Sequence, residues 1–192
     1  MSLDFFFIIG PQAVGKMTVG QALARRTGAK LFYNHMTIDL VSDFFDYSTS
    51  EGKHLVNEYR KLLFQSVLSC RNYPGFIFTF VCDFETPDGL PYVYKTCSDF
   101  EEAGHRSFIV ELNADYETRK ARNVTENRMH YKKSKRDIEK SVQFFERFEQ
   151  EGRTQSWINE IQWPRYLRIN NTDLSPDEVA KSILSFFSLL EN

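Results

Sequence analysis

Short apolar runs alternate with longer segments of helical spacing along this chain. The runs at residues 5–9, 76–82 and 107–112 are mostly apolar, and shorter ones lie at 30–33 and 166–169. An almost continuous apolar run is typical of a strand that is buried on both faces. The segments between them predict helices at 16–27, 37–46, 51–72, 92–103 and 115–128, one from 137, and one that Ser175 caps. This alternation predicts a three-layer α/β/α fold with a five-stranded parallel sheet.

The composition limits the possible classes of protein. The 192 residues contain no repeat or linker, so we expect a single domain over 1–192. A net charge of −2 disfavours a nucleic-acid or membrane role, and no run reaches the roughly 20 apolar residues of a membrane helix. The three cysteines, at 70, 82 and 97, form no metal or disulfide pattern. We therefore expect a cytoplasmic protein with reduced thiols, and its oligomeric state stays open.

Residues 10–18, GPQAVGKMT, carry the most specific motif. Gly10, four further residues and Gly15-Lys16 lie between a predicted strand and a predicted helix. Such a loop lets backbone N–H groups converge on phosphate oxygens, and the helix N-terminus and Lys16 add positive charge. The alternative is a structural turn. We expect nucleotide contacts from Gly10, Gln12, Ala13, Val14, Gly15, Lys16, Met17 and Thr18.

Met17 occupies the slot that carries a Ser or Thr in the motif G-x-x-x-x-G-K-[ST]. A thioether is a poor ligand for Mg²⁺, which prefers oxygen. Thr18 lies about 100° further around the helix and cannot take the same position. We therefore expect no direct protein ligand for magnesium in this loop.

The pattern G-P-x-x-x-G-K-x-T resembles the loop of adenylate kinases and of related small kinases of the shikimate and gluconate type. Met17 departs from the glycine that is common there. The resemblance implies a P-loop nucleoside triphosphate hydrolase fold that uses ATP, holds Mg²⁺ through water and phosphorylates a small molecule. It further implies that Thr18 contacts the α or β phosphate, that the helices at about 37–72 bind the acceptor, and that a small lid occupies about 128–137.

The same resemblance suggests roles for several polar residues beyond the loop. The basic segment 128–136 would be the lid, with Arg128 on the transferring phosphoryl group and Lys135 and Arg136 near the substrate. Its alternative is a solvated surface or an RNA-binding patch. Arg122 would stack on adenine, and Asn171 and Thr172 would contact the base, unless they only form a polar turn.

The predicted acceptor side contains fewer clear signals. Asn34 and His35 follow the second strand, where parallel sheets bind ligands, and His35 is either a base or a structural residue. Arg60 and Arg71 either clamp an anionic acceptor or lie in solvent. Asp83 either ends the third strand and acts as a catalytic acid, or it lies in the following loop. The second case holds if Thr79 occupies the end of the strand.

These features favour an ATP-dependent phosphotransferase acting on a small-molecule acceptor, with Lys16, Arg128, His35 and Asp83 as the catalytic candidates. The alternative is a nucleotide-binding regulator or a weak ATPase. A GTPase is disfavoured because residues 170–173 lack the lysine of N-K-x-D and the chain contains no D-x-x-G. No motif for one particular acceptor is present.

Overall fold

A computed structural model describes residues 2–69, 72, 74–125 and 138–189. Its five strands are β1 (Asp4–Ile9), β2 (Lys30–Tyr33), β3 (Gly75–Thr79), β4 (Arg106–Asn113) and β5 (Tyr166–Asn170). All neighbouring pairs are parallel, in the order β2-β3-β1-β4-β5. The five-stranded parallel sheet predicted from the alternation of elements is confirmed.

Seven helices connect or flank these strands within the described ranges. They are α1 (Lys16–Thr27), α2 (His35–Val41), α3 (Ser50–Leu68), α4 (Leu90–Glu102), α5 (Tyr116–Asn123), α6 (Ile138–Glu151) and α7 (Pro176–Phe186). The cap predicted for the last helix is present as a capping box, in which the Ser175 hydroxyl accepts from the Glu178 backbone and the Glu178 carboxylate accepts from the Ser175 backbone.

The sheet is buried on both faces, as its apolar runs predict. Alternate residues of β1 enter different clusters: Phe6 and Ile8 pack with α1 and α7, whereas Phe5 and Phe7 pack with α3 and α4. The second layer is strongly aromatic, and the rings of Phe5 and Phe100 stack with centroids 3.9 Å apart. The phenylalanines therefore stabilise the core and hold the ends of the strands in place.

The third strand is shorter than its apolar run. It ends at Thr79, not at Cys82, because its pairing with both neighbouring strands stops there. The last residue of β2 pairs with Thr79, and β1 ends at Ile9, so only Phe80 still donates a backbone bond, to Ile8. Cys82 is nonetheless fully buried. The apolar run at 76–82 therefore predicted correctly that these residues extend into buried surroundings, but not where the hydrogen-bonded strand ends.

Two helices also differ from prediction. Asn34 already has helical backbone angles and α2 runs from His35 to Val41, so it starts and ends earlier than the predicted 37–46. The helix expected at 51–72 ends at Leu68. No helix in the described part of the chain is both long enough and apolar enough to cross a membrane.

Candidate functional site

Gly10 closes the end of β1 against its neighbour β4. Its φ is 137°, and a Cβ atom added there would lie 2.2 Å from the backbone oxygen of Leu112. Only glycine fits such an approach without displacing the backbone. The first glycine of the motif is therefore required by the packing of the loop on the sheet.

The second glycine turns the chain into α1. Gly15 has a φ of 104° and is the N-cap of that helix. The Lys16 ammonium donates to the backbone oxygens of Gly10 and Pro11, each at 2.6 Å. A mobile cation and the N-terminus of a twelve-residue helix therefore meet in one backbone loop, an arrangement that suits the phosphates of a nucleotide.

The two residues after Lys16 face different surroundings. Met17 is buried, with 7% of its surface exposed, whereas Thr18 is half-buried. The Thr18 hydroxyl donates to the backbone oxygen of Gly15 at 2.9 Å. It must give up this bond to donate to a phosphate, so the predicted phosphate contact of Thr18 stays a prediction.

The middle of the loop is buried. Gln12, Ala13 and Val14 are all buried, and Ala13 has a left-handed φ of 58°. The Gln12 side-chain oxygen has no hydrogen-bond partner among the described atoms. These residues therefore present backbone to a ligand more than side chains.

The residues expected to contact adenine lie beside this loop. Asn171 is buried and its amide donates to the backbone oxygen of Val14 at 2.8 Å. Arg122 donates to the same oxygen at 3.2 Å and to the backbone oxygens of Asn171 and Thr172 at 2.9 and 3.1 Å. The Thr172 hydroxyl accepts from the Asp115 backbone at 3.0 Å. The structure thus brings α5, the β5–α7 loop and the predicted phosphate loop at 10–18 together.

Arg60 is the central residue of the predicted acceptor side. It lies in α3 with 4% of its surface exposed, and it donates to the Asn34 side-chain oxygen and, at 3.3 Å, to the Thr37 hydroxyl. The Asn34 backbone in turn donates to the Thr79 hydroxyl at 3.3 Å. Asn34 and Arg60, separated by 26 positions in sequence, therefore meet at the carboxyl end of β3.

The surroundings of Arg60 are polar but neutral. Burial lowers the pKa of its guanidinium. Tyr47, which accepts a hydrogen bond from Arg60, and Tyr92 both raise that pKa. Within the described ranges no carboxylate forms an ion pair with Arg60. A buried guanidinium costs several kcal/mol, on the order of the desolvation of one ion, unless an anion compensates it. An anionic group beside Arg60 would supply the compensation that its neutral neighbours do not.

The remaining candidates near the sheet lie in different places. His35 is the first residue of α2 and half-buried, so it follows Asn34 on the acceptor side. Asp83 lies in the loop between β3 and α4, where its carboxylate accepts from the Glu85 backbone at 3.1 Å. Of the two alternatives for the end of β3, Thr79 occupies the strand end. The catalytic roles of His35 and Asp83 stay predictions.

The predicted lid residues Arg128, Lys135 and Arg136, together with Arg71, lie outside the described residues. The helices before and after the predicted lid segment, α5 and α6, contact each other. Arg119 forms a bidentate ion pair with Glu149 at 2.5 and 2.6 Å, and the Asn123 amide donates to the Ser141 backbone at 3.3 Å. The helices α5 and α6 are therefore held together by an ion pair and a hydrogen bond.

The sequence analysis missed three residues that lie around Arg60. Thr37, Tyr47 and Tyr92 surround Arg60 from three different parts of the chain. Only Thr37 could have been found, since it stands three positions after Asn34, at the start of the helix predicted for 37–46. In the described part of the chain, no group of three or more His, Cys, Asp or Glu residues could hold a metal ion.

No family model matches the chain, and no curated protein matches it by sequence. Solved structures do match. A kinase candidate from Chloroflexus aurantiacus shares 12% identity at a TM-score of 0.62, with 97% of each chain covered. The gluconokinase of Sinorhizobium meliloti shares 12% at 0.56, over 97% of this chain and 91% of that one.

A further match is the APS kinase of Mycobacterium tuberculosis, solved in complex with AMPPNP and APS. It shares 13% identity at a TM-score of 0.57, over 97% of this chain and 98% of that one. At such identities the likeness shows the fold alone. The chain has the α/β fold of P-loop small-molecule kinases, which confirms the fold that the loop resemblance implied.

Proposed function

We propose that this protein is a kinase that transfers the γ-phosphoryl group of ATP to a small-molecule acceptor. The observation that carries the proposal is the loop at 10–18. Its glycines allow a tight backbone turn against β4, and Lys16 and the α1 N-terminus place positive charge beside it. Phosphoryl transfer depends mainly on positioning and charge stabilisation, which these groups can supply.

Magnesium would neutralise charge on the β and γ phosphates, held by the phosphates and by water rather than directly by protein. The donor set agrees with this arrangement, because buried Met17 offers no oxygen and the Thr18 hydroxyl donates to Gly15. Arg128 of the lid would stabilise charge on the transferring group, with Lys135 and Arg136 near the acceptor. A reducing, cytoplasmic setting accords with the free thiols of Cys82 and Cys97.

The acceptor would carry an anionic group bound by Arg60. Neutral partners leave the positive charge of this buried guanidinium uncompensated within the described residues. Asn34, Thr37 and Tyr47 orient it, because each accepts a hydrogen bond from it. His35, the next residue after Asn34, would contact the acceptor and take its proton if the reacting group is a hydroxyl.

The second candidate is a nucleotide-binding regulator without an acceptor. It is favoured by Met17 in the hydroxyl slot of the loop and by an amide, Asn34, rather than a carboxylate directly after β2. A regulator would bind ATP through the same loop and release no ADP on any acceptor.

The deciding experiment measures ATP affinity by calorimetry with and without Mg²⁺. It then follows ADP release over a panel of nucleoside monophosphates, sugars and anionic hydroxy acids. A kinase is expected to bind ATP and to turn over at least one acceptor. Lys16→Ala should lower turnover by about 10²–10³-fold. Lys30→Ala, which removes an exposed lysine of β2, is the matched control and should change nothing.

Absence of ATP binding at millimolar concentration would exclude both candidates. ATP binding that is lost in Lys16→Ala, without turnover of any acceptor, would instead favour the regulator.

A further inference from the structure

One backbone oxygen of the phosphate loop receives hydrogen bonds from two other parts of the fold. The Asn171 amide, in the loop after β5, donates to the Val14 oxygen at 2.8 Å, and Arg122 of α5 donates to it at 3.2 Å. Arg122 also donates to the Asn171 and Thr172 oxygens at 2.9 and 3.1 Å, so the two donors are themselves linked. The Val14 side chain is fully buried.

The Val14 oxygen determines the direction of the next N–H group. In a planar trans peptide the oxygen of Val14 and the N–H of Gly15 point to opposite sides. Two donors that hold the oxygen toward α5 and the β5–α7 loop therefore hold the Gly15 N–H toward the other side. Gly15 has a φ of 104° and directly precedes Lys16, so its N–H would be one of the backbone donors to a phosphate bound in this loop.

Asn171 also lies close to Gly15, the second residue of this peptide. A Cβ atom at Gly15 would lie 3.4 Å from the Asn171 amide nitrogen, and Ala13, on the other side of Val14, is held at a left-handed φ of 58°. A reversed peptide would direct the Val14 oxygen at the phosphate and repel it. The two side chains thus stabilise the binding-competent orientation.

We propose that Asn171 and Arg122 are positioning residues that orient the Val14–Gly15 peptide for phosphate binding, in addition to any contact with the base. The proposal rests on the proposed function, since it requires nucleotide phosphates in the loop at 10–18. It differs from the role expected from resemblance, in which these residues contact adenine. The two roles predict losses of affinity for different parts of the nucleotide.

The test compares ATP, adenosine and inorganic tripolyphosphate as ligands of the wild type, of Asn171→Asp and of Arg122→Met, by calorimetry. Asn171→Asp keeps the shape of the side chain but places a carboxylate oxygen opposite the Val14 oxygen. We expect both variants to bind tripolyphosphate and ATP about 10–100-fold more weakly, because hydrogen bonds that orient the loop are lost or reversed. Tripolyphosphate lacks a base, so a role confined to adenine cannot produce this loss.

Asn159→Asp is the matched control, since it makes the same chemical change at an exposed residue far from the loop in sequence. It should leave all three affinities unchanged. A circular-dichroism melt of each variant checks folding, and Arg122→Met, which alters a half-buried residue, provides the test if Asn171→Asp does not fold. Unchanged tripolyphosphate affinity in folded Asn171→Asp or Arg122→Met would overturn the proposal, even if adenosine binding falls. A wild type that binds neither ATP nor tripolyphosphate would instead overturn the proposed function.

Discussion

The two sides of the candidate site are built from different kinds of contact. On the nucleotide side, Lys16, Arg122 and Asn171 all donate to backbone oxygens of the loop or of its neighbours. On the acceptor side, one buried arginine, Arg60, contacts side chains of residues far apart in the chain. The first arrangement depends on backbone shape, and the second depends on one uncompensated charge.

This difference determines how each side should respond to mutation. A backbone-built site is damaged most by added bulk or by altered glycine angles, whereas a site built on one charge is damaged most by loss or neutralisation of that charge. Four substitutions, in decreasing order of expected effect, test whether the two sides differ in this way.

Gly10→Ala should have the largest effect. The added methyl group would lie 2.2 Å from the Leu112 oxygen, so we expect about 3 kcal/mol or more of lost stability in urea unfolding, together with loss of ATP binding. The control is Gly104→Ala, where φ is also positive, at 82°, but no atom lies within 4 Å of the new methyl group. It should cost only about 1–2 kcal/mol and leave ATP binding intact. Equal effects of the two variants would contradict the close-approach argument.

Arg60→Met tests the acceptor side. For an acceptor that the wild type phosphorylates, we expect kcat/KM to fall by about 10²-fold or more, with an unchanged ATP affinity, because only the anionic group of the acceptor loses its partner. Steady-state kinetics and ATP calorimetry measure the two quantities. Lys61→Met removes an exposed cation from the next position of α3 and should change neither. A parallel loss of ATP affinity in Arg60→Met would show that the two sides are not separate.

Asn34→Asp would give Arg60 a half-buried carboxylate partner. An adjacent arginine lowers an aspartate pKa by about 1–3 units, so the new group should add about 1–4 kcal/mol of stability at neutral pH. Because the folded-state pKa is the lowered one, this gain is present above the unfolded value of about 3.9 and disappears as the pH falls through the folded value.

Urea unfolding at pH 7 and at pH 3 measures the gain from Asn34→Asp, and acceptor affinity should fall because the arginine is neutralised. Asn57→Asp, at an exposed position of α3, is the control and should show neither effect. A gain that is as large at pH 3 as at pH 7 would rule out the ion pair as its cause.

Thr18→Ala should have the smallest effect. Its hydroxyl donates to the Gly15 oxygen, so we expect ATP affinity to weaken by only about 5-fold, the loss of one hydrogen bond. Thr27→Ala in the same helix removes a hydroxyl that donates to the Leu23 oxygen, far from the loop, and should leave ATP affinity unchanged. An ATP affinity that does not respond to Thr18→Ala would exclude the predicted phosphate contact.

The fold was largely predictable because burial in a parallel sheet leaves a local trace. The order of strands and helices, the cap at Ser175 and the loop at 10–18 followed from nearby residues. The end of β3 could not be predicted from nearby residues, because Cys82 is as buried as the strand before it. The hydrogen-bonded pairing of β3 stops at Thr79 because the paired parts of β1 and β2 end there, and both strands lie far away in sequence.

The sequence by itself determined the class of fold and the place of the predicted phosphate loop, because strand burial, glycine geometry and helix capping depend on short-range physics. Only the tertiary structure decided that Arg60 is buried beside Asn34 and that Asn171 and Arg122 converge on the Val14 oxygen. Such contacts join residues 26 to 157 positions apart, and their side chains have no local pattern that reveals a partner. They exist because parallel strands bring their carboxyl ends, and the loops that follow them, to one edge of the sheet.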